Sequence, residues 1–128
     1  MRLLLDTHTL IWWWIGDRDL PEAARSAIAH PLTDVFVSAA SAWEIATKVR
    51  MGKLLEMRDF LPIFHETIVA DDFQVIDVRA DHGVRGGLLG GGHKDPFDRL
   101  IAAQALIEGL TVVTCDQEIA NFGCKVLW

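Results

Sequence analysis

A chain of 128 residues is one domain's worth of sequence, long enough to bury about two-thirds of the surface it exposes when unfolded. Its hydrophobic fraction of 51% is high for that length and points to densely covered sheet strands or to an apolar surface kept for another protein. A formal net charge of −6 excludes a protein that grips nucleic acid by bulk electrostatics, although a local basic rim is still open to it.

Arg2 to Leu5 reads as a short buried strand, followed by a helix over Thr7 to Ile15 that is apolar nearly all round, with Asp6 at the junction. Pro21 to His30 is a second helix, opened by Pro in its first turn and stopped by Pro31. Asp34 to Val37 is a second strand, after which Ser38 caps a helix that runs to Arg50, contains Glu44 and ends at Gly52. Arg58 to Ala70 is an amphipathic helix, Gln74 to Val78 a third strand and Ala80 to Leu89 a further helix. Gly86, Gly87, Gly90, Gly91 and Gly92 mark a flexible loop. Asp95-Pro96 then starts a strong helix ending at Gly109, with Asp95 as N-cap and Asp98 at the third helical position. Thr111 to Thr114 is a fourth strand, Asp116 to Ala120 a helical turn and Lys125 to Leu127 a last short strand.

This alternation implies one α/β domain over residues 1–128, with a mostly parallel sheet covered on both faces. No repeat, linker or low-complexity segment interrupts it. No run approaches the roughly 20 apolar residues that span a bilayer, and the amino end shows no basic region followed by an apolar one, so a cytoplasmic protein with no membrane role is expected. Cys115 and Cys124 lack the spacing of a zinc site and are read as small packed side chains.

Ligands of open parallel sheets bind beyond the carboxyl ends of the strands, and Asp6, Asp98 and Asp116 all map to that edge. Each Asp taken alone is as well explained by capping a helix. Together they are harder to explain that way, because crowded carboxylates repel unless protons or a cation compensate. Hard oxygen ligands without a His or Cys pattern select Mg²⁺ or Mn²⁺ over zinc. Glu44 lies about 9 Å along its helix from Ser38, and an exposed i, i+4 pair with Lys48 accounts for it equally well. Lys48, Arg50, Lys53 and Arg58 form either a basic rim for RNA or a solvated helix end.

Four segments in this order resemble the PIN-domain ribonucleases, and within them the VapC-like toxins of bacterial toxin–antitoxin pairs. They are Leu4-Leu5-Asp6-Thr7-His8, Ser38-Ala39-Ala40-Ser41-Ala42-Trp43-Glu44-Ile45 with Lys48 and Gly52-Lys53-Leu54, His93-Lys94-Asp95-Pro96-Phe97-Asp98-Arg99 leading to Ala102-Ala103-Gln104-Ala105, and Thr114-Cys115-Asp116. The resemblance implies a three-layer α/β/α sandwich and carries the family's acidic quartet onto Asp6, Glu44, Asp98 and Asp116. Asp98 is preferred to Asp95 by its register before Ile101-Ala102-Ala103, with Asp95 left to bind through water. Cys115 stands where the family commonly has Asn.

The implied activity is Mg²⁺-dependent hydrolysis of RNA phosphodiesters, with Mn²⁺ as an alternative ion. Thr7 and Thr114 are candidate hydroxyls behind the metal ligands, and Lys48, Lys94 and Arg99 are candidate RNA contacts, with surface or capping roles as the alternative. The resemblance also implies a cognate antitoxin and a homodimer. Trp12, Trp13 and Trp14 cannot all face one side of a helix, so that helix is either sandwiched or partly reserved for a partner.

Other classes are disfavoured. A receiver or phosphatase domain with Asp6 as phosphoacceptor lacks an acid two positions on, and a P-loop at Gly86 to Lys94 lacks the Gly-Lys-Ser/Thr order. A catalytically silent binding module has no need of all four acids.

Overall fold

The computed structural model describes residues 1–128. In chain order it contains β1 (Arg2–Leu5), α1 (Thr7–Ile15), α2 (Glu22–Ala29), β2 (Asp34–Ser38), α3 (Ala39–Arg50), a 3₁₀ segment (Leu55–Ile63), α4 (Phe64–Ala70) and β3 (Gln74–Ile76). There follow α5 (Ala80–Leu88), α6 (Pro96–Glu108), β4 (Thr111–Val113), α7 (Gln117–Asn121) and β5 (Val126–Leu127). The strands form one parallel sheet in the order β3-β2-β1-β4-β5.

β1 is central because it can be covered on both sides: Leu3, Leu4 and Leu5 have no exposed surface. Alternate side chains of a strand face opposite ways, so Leu3 and Leu5 join a core with Leu10, Ile45 and Met57, while Leu4 joins a second core with Ile101, Ala102 and Ile119. The result is the expected three-layer sandwich. From β1 the chain winds outward through β2 to β3, then returns to the other side of β1 as β4. The ends of β1 and β4 therefore flank the point where the winding direction reverses, which is where open parallel sheets bind ligands.

Most predicted elements occur within a residue or two of their expected bounds, and the departures have local causes. The helix expected over residues 58–70 is α-helical only from Phe64, because Pro62 has no N–H to donate and the preceding turns tighten into the 3₁₀ segment. β3 ends at Ile76 rather than at residue 78. Gly86 and Gly87 belong to α5, not to the loop. A Cβ at Gly86 would stand 3.1 Å from the Arg99 carbonyl oxygen, so this glycine lets α5 lie against α6.

The three neighbouring indoles are each half-buried, and α1 is sandwiched. Trp14 stacks on Phe60 at 5.4 Å, Trp13 packs near Phe73 at 6.0 Å, and both donate to Asp71 Oδ2. Trp12 turns the other way, toward Trp128 at 5.6 Å. Both cysteines are free, and burial pushes the Cys124 thiol up to about 11. No helix is long and apolar enough to cross a membrane.

Candidate active site

The register of the sheet puts the acids at one level. Leu5 pairs with Val37 on one side and with Val113 on the other, so the residues that follow, Asp6, Ser38 and Thr114, stand side by side at this edge. Two of them, and Asp116 two residues after the third, cap helices. Asp6 Oδ1 accepts from Thr9 N at 2.8 Å, Ser38 Oγ from Ala40 N at 3.0 Å, and Asp116 Oδ1, at the end of the turn after Thr114, from Glu118 N at 2.9 Å. Capping and clustering are thus not alternatives at Asp6 and Asp116, since one oxygen of each carboxylate caps and the other faces a neighbouring group.

Thr114 joins these two. Its hydroxyl donates to Asp6 Oδ2 and accepts from the Asp116 backbone N–H at 2.9 Å, which ties the ends of β1 and β4. Asp6 is only 6% exposed, and burial raises its carboxyl above the usual range against the opposing bonds from Thr114 and Thr9.

Asp98 reaches the cluster from the first turn of α6. Asp95 supplies the cap there, accepting from Phe97 N at 2.9 Å, which leaves the Asp98 carboxylate free. His93 Nε2 lies 2.9 Å from Asp98 Oδ2 and 3.8 Å from Asp116 Oδ2, and one donor atom from each of the three residues falls within 4.8 Å of the others. Burial lifts the Asp98 carboxyl to about 6; the His93 hydrogen bond opposes this, and the charges of Asp95, Asp116 and Glu44 add to it. The Asp98 hydrogen bond, followed by the charges of Asp98, Asp116 and Asp95, pulls His93 upward.

Glu44 completes the acidic edge from α3. Its expected pair with Lys48 forms, but it is not the exposed pair of a solvated helix face: Glu44 is 2% exposed. Lys48 takes Oε2, while Oε1 is buried without any hydrogen-bond partner. An orphaned buried carboxylate oxygen is costly unless a further positive group answers it. Next door, Trp43 meets Phe97 edge-on at 5.1 Å and holds α3 against the start of α6.

The remaining candidates divide. Thr114 lies behind the acids as expected, whereas the Thr7 hydroxyl meets Ser41 Oγ at 2.9 Å and couples α1 to α3 without touching an acid. Arg99, a candidate RNA contact, has its guanidinium engaged by backbone carbonyls: Nε meets Gly86 O at 2.9 Å, Nη1 meets His93 O at 2.8 Å, and Nη2 meets Gly87 O and Leu89 O. It anchors the glycine loop. Lys48 is engaged by Glu44, and Lys94 is exposed with no ion pair.

His93 stands beside Asp98 and Asp116, a neighbour that the sequence reading did not name. The available signal was its place after three glycines and two residues before the Asp95-Pro96 cap, which aims it at the first turn of α6.

The PIN domain family model matches residues 3–123. The chain belongs to the PIN domain family. No curated protein matches the sequence of this PIN domain. Among solved structures it is similar to VapBC2 from Rickettsia felis bound to a DNA fragment from their promoter, at 20% identity and TM-score 0.70, covering 99% of this chain and 98% of that one. VapBC-1 from nontypeable Haemophilus influenzae matches at 15% identity and TM-score 0.66, covering 99% and 97%. FitAcB from Neisseria gonorrhoeae matches at 22% identity and TM-score 0.65, covering 98% and 96%. At these identities the likeness is one of fold, and it runs the full length of the domain.

Proposed function

We propose that this PIN domain is a Mg²⁺- or Mn²⁺-dependent endoribonuclease that acts in the cytoplasm as the toxin of a toxin–antitoxin pair. The observation that carries the reading is the grouping of Asp98 and Asp116 at the edge where Thr114 ties Asp116 to Asp6, with buried Glu44 on the adjoining helix α3.

A divalent cation fits this edge on two counts. Glu44 Oε1 is buried and unpaired, and Asp98 is held at about 6 by burial and by its acidic neighbours. Both are the marks of carboxylates arranged for a charge that is not a side chain's. Asp6, Glu44, Asp98 and Asp116 would hold the ion. When bound, such an ion supplies a water of lowered pKa and a counter-charge for the leaving oxygen of a phosphodiester. The residues themselves set the geometry: Thr114 fixes Asp6, the Asp95 cap frees Asp98, and the Trp43–Phe97 contact keeps Glu44 and Asp98 on facing helices. Asp95, whose Oδ1 is engaged in the cap, is left to bind an ion through water. Lys94, exposed beside Asp95, is the cation free to meet an RNA phosphate.

The likeness in fold to VapBC2, VapBC-1 and FitAcB supports the expectation of a cognate antitoxin as partner. The chain is expected to form a homodimer, which sedimentation measures directly.

The test is cleavage of total cellular RNA by the purified chain with Mg²⁺ or Mn²⁺, beside excess chelator and Asp6→Asn. The expected result is cleavage that requires the ion and disappears in the folded variant. Equal cleavage by Asp6→Asn or in chelator would sink the assignment. Antitoxin binding with no cleavage of any RNA would move it to a silent binding module.

A further inference from the structure

We propose that His93 is a nitrogen ligand of this metal site, so that the site prefers Mn²⁺ to Mg²⁺. The inference rests on the metal-dependent reading above and adds a donor of a different chemical kind to it.

The geometry is that of two ligands sharing an ion. Donors on adjacent corners of an octahedron with bonds near 2.1 Å are about 3 Å apart. His93 Nε2 stands 2.9 Å from Asp98 Oδ2, a hydrogen bond in the ion-free chain, and 3.8 Å from Asp116 Oδ2, and one ligand atom from each lies within 4.8 Å of the others, close enough to share an ion. The Nε2 that now meets Asp98 Oδ2 is the nitrogen that neutral imidazole would offer to a metal in the same place.

The loop is built to hold the ring there. Gly91, at φ +87°, turns the chain into His93, and Arg99 Nη1 clamps the His93 carbonyl at 2.8 Å while its Nε binds Gly86 O at 2.9 Å. Phe122 borders the imidazole at 6.1 Å between ring centroids. The guanidinium that sequence alone offered to phosphate thus serves to fix His93.

An independent sign of a cation comes from a different helix: Glu44 Oε1, buried and unpaired on α3, belongs to a carboxylate whose charge is felt at Asp98. The consequence for ion choice follows from ligand type. All-oxygen sites suit Mg²⁺, which binds imidazole poorly, whereas Mn²⁺, though at the weak end of the first-row divalent series and itself suited to oxygen, takes a nitrogen more readily than Mg²⁺ does.

Pulsed electron paramagnetic resonance of Mn²⁺ bound to the full chain, with titration calorimetry of Mn²⁺ and Mg²⁺, tests this without reference to activity. The wild type should show ¹⁴N coupling to Mn²⁺. His93→Gln, which keeps a hydrogen-bond donor for Asp98, should lose that coupling and bind Mn²⁺ about tenfold more weakly, with Mg²⁺ affinity changed much less. Circular dichroism checks that the variant is folded, and His93→Ala serves if it is not. Mn²⁺ bound without ¹⁴N coupling overturns the inference and leaves the carboxylate site standing. So does coupling that persists in the variants, which would point to His8, the other imidazole at this edge. A wild type that binds no Mn²⁺ overturns both this inference and the metal-dependent reading.

Discussion

In metal-free buffer, replacing Asp98 by Asn should make the domain more stable. Asp98 is held at about 6 instead of its ordinary 3.8. Ionising it in the folded chain therefore costs about 3 kcal/mol, and solvent at the 20% exposed side chain screens this to about 1.5 kcal/mol. Because the folded value is the higher one, the folded state binds the proton more tightly. Stability is complete below about pH 4, falls as pH rises toward 6 and stays low above it. Asn keeps an acceptor for His93 and carries no charge, so Asp98→Asn should melt about 6 °C above the wild type at pH 7 in excess chelator and level with it at pH 4. Added Mn²⁺ should then raise the wild type and leave the variant nearly unmoved, which closes or reverses the gap. Thermal melts by circular dichroism across pH 4 to 7.5 measure all of this. A variant that melts lower at pH 7 without metal, or a difference that ignores pH, would refute the picture of Asp98 as a carboxylate under repulsion.

Thr114→Val should cost about 2–3 kcal/mol in urea unfolding and most of the nuclease activity, because it strips a hydrogen bond from buried Asp6 and leaves the Asp116 N–H without its partner; Thr114→Ser should restore both. Gly86→Ala should destabilise the domain, since the new methyl meets a rigid backbone carbonyl at 3.1 Å, while Gly83→Ala in the same helix, with nothing near its Cβ, should gain about 0.5–1 kcal/mol. A stabilised Gly86→Ala would show that α5 and α6 can part at no cost. Glu108, drawn below the usual carboxyl range by hydrogen bonds from His82 and Arg79, contributes stability above its ordinary value that is lost on acidification. Glu108→Gln should therefore melt below the wild type at pH 7, with the difference fading below about pH 4.

The parts legible in the sequence were those written in local chemistry. Alternating strand and helix signals, the Ser38 and Asp95-Pro96 starts and the Gly109 stop placed α3 and α6, because a cap is satisfied by residues two or three positions away. The helix start at residue 58 was misplaced because hydrophobic periodicity does not register the missing N–H of Pro62. Gly86 was read as flexible because a glycine needed for close packing and one needed for a turn look alike until the opposing helix is known.

The site follows the same division. Asp6 and Asp116 could be assigned to the sheet edge from sequence alone, since each directly follows or nearly follows a strand. Glu44 could not be resolved between an exposed ion pair and a buried acid, because burial depends on what α6 and the sheet place around α3. The surroundings of Arg99 and His93 were not legible for the same reason. A guanidinium five donors wide goes wherever carbonyls are free, and only the folded loop shows that they surround it. What the sequence determined by itself was therefore the strand or helix position of each of the acids Asp6, Glu44, Asp98 and Asp116. The tertiary structure decided their setting: a threonine bridge between two strands, an unpaired oxygen on Glu44 and a histidine among the acids. Each of these joins residues far apart in the chain, which no local pattern records.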